Sequence, residues 1–154
     1  MIHERGASMI EILGVITIAG MMTAAAIGMY NVIRNNQMRK IAFSTVEELA
    51  RNTEMLMGMR GDYTGVSVQY LVEAGALANA NAPIGGDDWS VTAINEGVGF
   101  SINLTELSQG ECEYFSVNVP KLVTRVIINN VESAAETTPN CFSTNTNNVS
   151  FVIE

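Results

Sequence analysis

Histidine is nearly absent from this chain: the single one is His3, at the start of 154 residues. An internal catalytic histidine, a histidine metal ligand and a histidine pH switch are thereby excluded. With them go the Ser-His-Asp and Cys-His hydrolases and most zinc enzymes. Cysteine is scarce as well. Cys112 and Cys141 are the only two, and they form no C-x-x-C pair, so a thioredoxin-type site or a zinc ribbon is not expected. Bases number 8 against 16 acids, a formal charge of −8, and no nucleic-acid partner is predicted. Aromatic residues make up only 6%, yet 47% of residues are hydrophobic, which excludes a disordered or collagen-like chain. The length fits one domain with an additional element.

The charge is unevenly placed. Residues 1–60 hold six bases and five acids, whereas residues 61–154 hold two bases and eleven acids. A near-neutral N-terminal part therefore precedes an acidic remainder.

From Ala7 to Ile33 the chain reads ASMIEILGVITIAGMMTAAAIGMYNVI, with Glu11 as its only charge. About 20 apolar residues form a helix long enough for the ~30 Å hydrocarbon core. A cleaved secretory signal would use Ala24-Ala25-Ala26 as its small-residue site. Its basic region would then be Arg5 alone, and Glu11 would interrupt its apolar core. A plain membrane anchor, with Glu11 snorkelling to the interface, explains the run but gives the acid no role. A carboxylate inside a bilayer costs about 2.5 kcal/mol or more, so it usually has a partner.

A third reading starts from the residues around that acid. The chain begins MIHERG and continues ASMIEILGVITIAG, so a short polar leader ends in Arg5-Gly6 and Glu11 follows five residues later at the head of the apolar run. This segment resembles the class III signal and N-terminus of type IV pilins and pseudopilins. The resemblance implies a leader of residues 1–6, cut after Gly6 by a prepilin peptidase that then N-methylates the new terminus at Ala7. It also implies assembly into a helical bundle, where Glu11 of one subunit pairs with the terminal cation of another. Such a pair would lower the burial penalty of both groups and set the register between subunits. Gly14, Gly20 and Gly28 lie within the run. They serve close helix–helix approach, or loosening of the helix on assembly as in the family, or are simply tolerated in a membrane helix. Arg34, Arg39 and Lys40 follow the run and by themselves favour a cytoplasmic C-terminal side; the resemblance and the cysteine pair favour an outward one.

Helical periodicity continues beyond the apolar run. Ala42, Val46, Leu49, Thr53, Leu56 and Met57 form one stripe, and Glu47 and Arg51 form an i,i+4 pair on another face. Gly58 and Gly61 are expected to stop the helix. Residues 7–57 as one helix would be about 75 Å long. The numerous methionines of this region are read as packing filler rather than a soft-metal site.

Beyond the helix, Ser67 is a candidate cap for a short helix with Tyr70, Leu71 and Ala74 inward. Gly85-Gly86-Asp87-Asp88 reads as a turn, without the ligand series of a calcium loop. Trp89–Asn95 and Val98–Leu104 are predicted strands around a turn at Glu96-Gly97. Residues 108–118 are a candidate helix with a Ser108/Glu111 capping box. Leu122–Asn129 and Val149–Ile153 read as further strands, with polar loop over 132–146. Two sequons, at Asn103 and Asn148, are taken as chance. The predicted class is α+β: a long N-terminal helix whose second half packs on an antiparallel sheet.

Cys112 and Cys141 are either bonded across a polar loop or two buried free thiols. A bond would contribute roughly 3–4 kcal/mol on the loop-entropy model and would require an oxidising compartment. The pair, the ending CFSTNTNNVSFVIE and the segment DYTGVSVQYLVEAG also resemble type IVb pilins. The expected organisation is leader 1–6, apolar membrane and filament-core helix 7–33, amphipathic continuation 34–60 and head 61–154. The expected function is a structural pilus subunit, not an enzyme, with no cofactor or metal. Its expected partners are other copies, the peptidase, the inner-membrane assembly machinery and, before assembly, the lipid bilayer. It would sit in the inner membrane with its head in the periplasm, then in a surface filament. The alternatives are a type II secretion pseudopilin and a singly anchored binding module.

Overall fold

The structure, a computed structural model, describes residues 8–133 and 138–154. The chain divides into two compact units, Met1–Gln37 and Met38–Glu154. Helix α1, Met9–Met57, contributes to both. After it come α2 (Val68–Glu73), β1 (Ser90–Ile94), β2 (Gly99–Leu107), α3 (Gln109–Val117), β3 (Arg125–Ile128), β4 (Val131–Glu132) and β5 (Asn147–Ile153).

Within the second unit, α1 buries Ala42, Val46, Leu49, Ala50, Thr53 and Met57 in one core with the sheet. This is the stripe expected from the periodicity, with Ala50 added and Leu56 only half-buried. The helix gives way to a short 3-10 turn, Gly58–Arg60, closed by Gly61 in the left-handed region at φ 68°. Glu47 and Arg51 pair across one helical turn at 3.5 Å. Ser67 caps α2 by accepting from Tyr70 N at 3.1 Å. Leu71 is buried and Tyr70 half-buried, but Ala74 is exposed: it ends the six-residue helix instead of extending its inner face.

The five strands form one antiparallel sheet in the order β1-β2-β5-β3-β4. Alternation places Val91, Phe100, Ile102, Leu104, Val126, Ile128, Val149 and Phe151 in the core. The β1–β2 connection takes four residues, Asn95–Val98, where a two-residue turn at Glu96-Gly97 was expected. Asn95, Glu96 and Gly97 all adopt positive φ, which uses up the neighbouring positions. A Cβ on Gly97 would stand 2.2 Å from Asp62 Oδ1, so only glycine fits beneath that loop. The same Asp62 carboxylate is held below its ordinary pKa by hydrogen bonds from Thr64. Strand β3 starts at Arg125 rather than Leu122, because Val123 N turns back to Pro120 O. Strand β4 replaces the beginning of the expected loop, joined to β3 through Asn129 and Asn130 at φ 49° and 67°. That two-residue left-handed turn suits the twist of a hairpin. The last strand begins at Asn147, two residues before the expected start.

Asn147 is fully buried. Its Nδ2 shares its two hydrogens among the carbonyls of Leu107 (3.0 Å), Phe142 (3.0 Å) and Thr144 (2.9 Å). Its Oδ1 accepts from Phe142 N (2.6 Å) and Asn129 Nδ2 (3.0 Å). One amide thus joins the end of β2, the segment after Cys141 and the β3–β4 turn. Replacing Asn147 with leucine should cost about 2–4 kcal/mol, because several buried backbone groups lose their partner at once. Denaturant unfolding of the detergent-solubilised protein measures this. A change below about 0.5 kcal/mol would show that the amide is not the tie.

Candidate functional site

The first unit offers a surface rather than a cleft. Its helical residues are exposed, including Ile10 (79%), Leu13 (60%), Met22 (71%) and Val32 (61%). Helix α1 contains an 18-residue window of mean hydropathy 2.0 with none of it buried, long and apolar enough to cross a membrane. Leu, Ile, Val and Met side chains in such number are not left in water by a stable protein; they face lipid or other apolar chains. The hydroxyls in the run are already satisfied within the helix. Thr17 donates to Leu13 O at 2.7 Å and Thr23 to Ala19 O at 2.8 Å. This suits a medium without water.

Glu11 lies in the first turn of α1, where the helix dipole favours an anion. Ser8 N donates to Glu11 Oε2 at 3.1 Å, the carboxylate half of a capping box. The Ser8-x-x-Glu11 spacing carries that signal, which the sequence reading did not use. Gly6 and Ala7 lie outside the described residues. A Cβ on Gly14, Gly20 or Gly28 would meet nothing within 4 Å. The three glycines are therefore open notches on the helix.

In the second unit, Cys112 and Cys141 are bonded, with Cα atoms 5.9 Å apart. The bond fastens α3 to the segment before β5. Ser108 and Glu111 complete the expected capping box, with Ser108 N donating to Glu111 Oε2 at 2.8 Å and Glu111 N to Ser108 Oγ at 3.4 Å. Arg39 of α1 lies across the start of α3, its Nη2 only 2.5 Å from where a Cβ on Gly110 would be. Sequence reading missed that contact, which carries no periodic signal. Asp87 and Asp88 are exposed turn residues, and among the described residues no group of three or more His, Cys, Asp or Glu gathers to hold a metal.

No family model matches the chain, and no curated protein matches it in sequence. Among solved structures it is similar to TcpA, a type IV pilin from Vibrio cholerae El Tor biotype. The TM-score is 0.60 at 14% identity, over 77% of this chain and 99% of that one. The fold is the type IV pilin fold. The type IV b pilin from Salmonella typhi is also similar, with a TM-score of 0.44 at 20% identity, over 71% of this chain and 95% of that one. In this chain the pilin fold comprises a long N-terminal helix, an antiparallel sheet and a disulfide that closes the last part of the head. Thiol-reactive labels should leave Cys112 and Cys141 unmodified until reductant is added. Replacing both with serine should lower unfolding stability by roughly 3–4 kcal/mol; prompt labelling of the native, non-reduced protein would contradict the bond.

Proposed function

We propose that the chain is a structural subunit of a bacterial type IV pilus of the type IVb kind. The observation that carries this reading is the union of a pilin fold with a helix whose apolar residues are exposed all round in the isolated subunit. In this reading residues 1–6 are a leader, cut after Gly6 by a prepilin peptidase that methylates Ala7. Residues 7–33 hold the chain in the inner membrane and later form the filament core. Residues 34–60 continue the helix, and the head 61–154 lies in the periplasm and then on the filament surface.

The physics of assembly supports the roles proposed for the helix. Transfer of the apolar segment from lipid to a bundle exchanges one apolar environment for another, so the step is nearly balanced and the assembly machinery drives it. The new amine on Ala7 is a cation that must enter that bundle. Glu11 is the only acid of the run, and pairing with a neighbour's amine would neutralise both charges and set the axial register. Gly14, Gly20 and Gly28 would admit close neighbours or allow local loosening of the helix. The chain itself needs no catalytic group; it is the substrate of the peptidase.

The mass of the N-terminal peptide from sheared surface material tests the reading directly. It should begin at Ala7 and carry one methyl group. A retained Met1 would reduce the protein to a membrane-tethered globule. Gly6→Leu should leave the chain uncleaved and absent from filaments, whereas a simple anchor would be unaffected. Glu11→Ala should be processed and stable yet assemble at least tenfold less; normal filament yield would remove the pairing role. A secretion defect on deletion, without surface filaments under any condition, would instead favour a pseudopilus.

A further inference from the structure

The globular unit has a groove beside α1 that its own core does not fill. Along α1 and into the 3-10 turn after it, Ile41, Thr45, Glu48, Asn52, Met55 and Met59 recur at alternating four- and three-residue spacings. This second stripe lies roughly 120° round the helix from the buried one. Ile41 is 58% exposed, Met55 69% and Met59 94%. Beside it runs a wall of small residues, Ala74-Gly75-Ala76, tied to the helix where Asn52 Nδ2 donates to Ala76 O at 3.0 Å. Between helix and wall is a hollow of about 330 Å³ lined by Asn52, Met55, Leu56 and Ala76. A second hollow of about 130 Å³ continues past Asn52 to Glu48 and Thr45. The groove thus carries Met55 and Leu56 at one end and reaches Glu48 at the other. Glu47 is taken by Arg51, and Glu48 has no basic partner among the described residues.

We propose that this groove receives residues 117–121 of a second copy of the chain. Val117 ends α3, Asn118 follows in an extended conformation at φ −98° and ψ 97°, and Val123 N closes a turn onto Pro120 O around Lys121. Val117 is 78% and Val119 40% exposed, and Lys121 is exposed, while Pro120 is buried and anchors the segment to its own head. Val117, Val119 and Lys121 are thus exposed together at the end of α3 and in the turn that follows it. Lys121 is the matching charge. Only Lys121 and Arg125 are basic in residues 61–154, and Arg125 is bound to Glu154 at 2.5 Å. Lys121 has no ion-pair partner among the described residues. The spacing also agrees. Glu48 and Met55 are seven residues apart on α1, or about 10 Å. Val119 and Lys121 are two residues apart, at most about 7 Å, and the flexible lysine stem spans the remainder.

Groove and projecting segment are different surfaces, so the contact is heterologous. It can repeat from copy to copy without closing into a dimer. The proposal rests on the pilus reading and adds to it a second set of subunit contacts, made by the head.

The test uses the full chain in cells that make filaments. Glu48→Lys and Lys121→Glu should each lower sheared filament yield at least tenfold while the subunit still accumulates, processed, in the membrane. The double swap should restore assembly. Normal yield from both single variants, or no recovery in the double variant, overturns the contact but leaves the pilus reading standing. Absence of filaments from the unsubstituted chain removes that reading and the contact with it. Where a charge variant fails to accumulate, the Met55→Cys and Val119→Cys pair decides. Mild oxidation of filaments should give a ladder of multimers that neither single cysteine gives; no ladder overturns the contact.

Discussion

The head is organised by one stripe of α1. Ala42, Val46, Leu49, Ala50, Thr53 and Met57 are each at most 1% exposed and share one core with the sheet. The alanines and the valine keep this face shallow. Larger side chains from the other side, among them Phe100, Phe115 and Phe151, fill the remaining space. Fully burying each phenylalanine contributes about 1.5–3 kcal/mol. Against this stands Thr53, whose buried Oγ1 has no hydrogen-bond partner, at a cost of about 1–3 kcal/mol. The packing of its neighbours offsets that cost. Loss of the stripe would leave the sheet with one bare apolar face and no reason to fold.

A long helix gains little from its own hydrogen bonds in water; it needs something to cover its apolar residues. From Met38 onward α1 has the sheet. Before that, the exposed isoleucines, leucines and methionines have no cover from the described residues. The two parts differ in pattern for this reason. The second has an apolar stripe with charged residues elsewhere, as a half-buried helix must. The first is apolar all round, and its only charge in Met9–Ile33 is an acid in the first turn.

Much of this was legible from local pattern. The helix, its buried stripe, the caps at Ser67 and Ser108 and the main strands each rest on residues a few positions apart. Features that depend on distant residues were not. Asn147 looks like one more polar residue of TNTNN until Leu107, forty positions earlier, is brought to it. Strand β4 has only two residues, Val131 and Glu132, too few to show alternation. Its position comes from the Asn129-Asn130 turn and from β3 beside it. The contact of Arg39 with Gly110 likewise joins elements far apart in sequence. For the candidate site the division is similar. The apolar run and Glu11 are plain in the sequence, but the Ser8 cap needed the spacing to be read as a cap. The groove beside Ala76 needed the fold.

Charge distribution bears on how such heads can crowd together. With two bases against eleven acids, residues 61–154 carry a formal −9. Copies gathered by their helices would bring these charges within a Debye length of about 8 Å in places, where repulsion is not fully screened. Nonspecific contact between heads is therefore disfavoured, and a lone unpaired cation has more selective value than it would on a mixed surface. Lys121 can lower the energy of one arrangement while most others bring acid against acid. Attraction at one place and repulsion elsewhere is how a weak contact defines a register. In the proposed filament the apolar helix would supply cohesion without much preference for orientation, and Lys121 would supply the orientation.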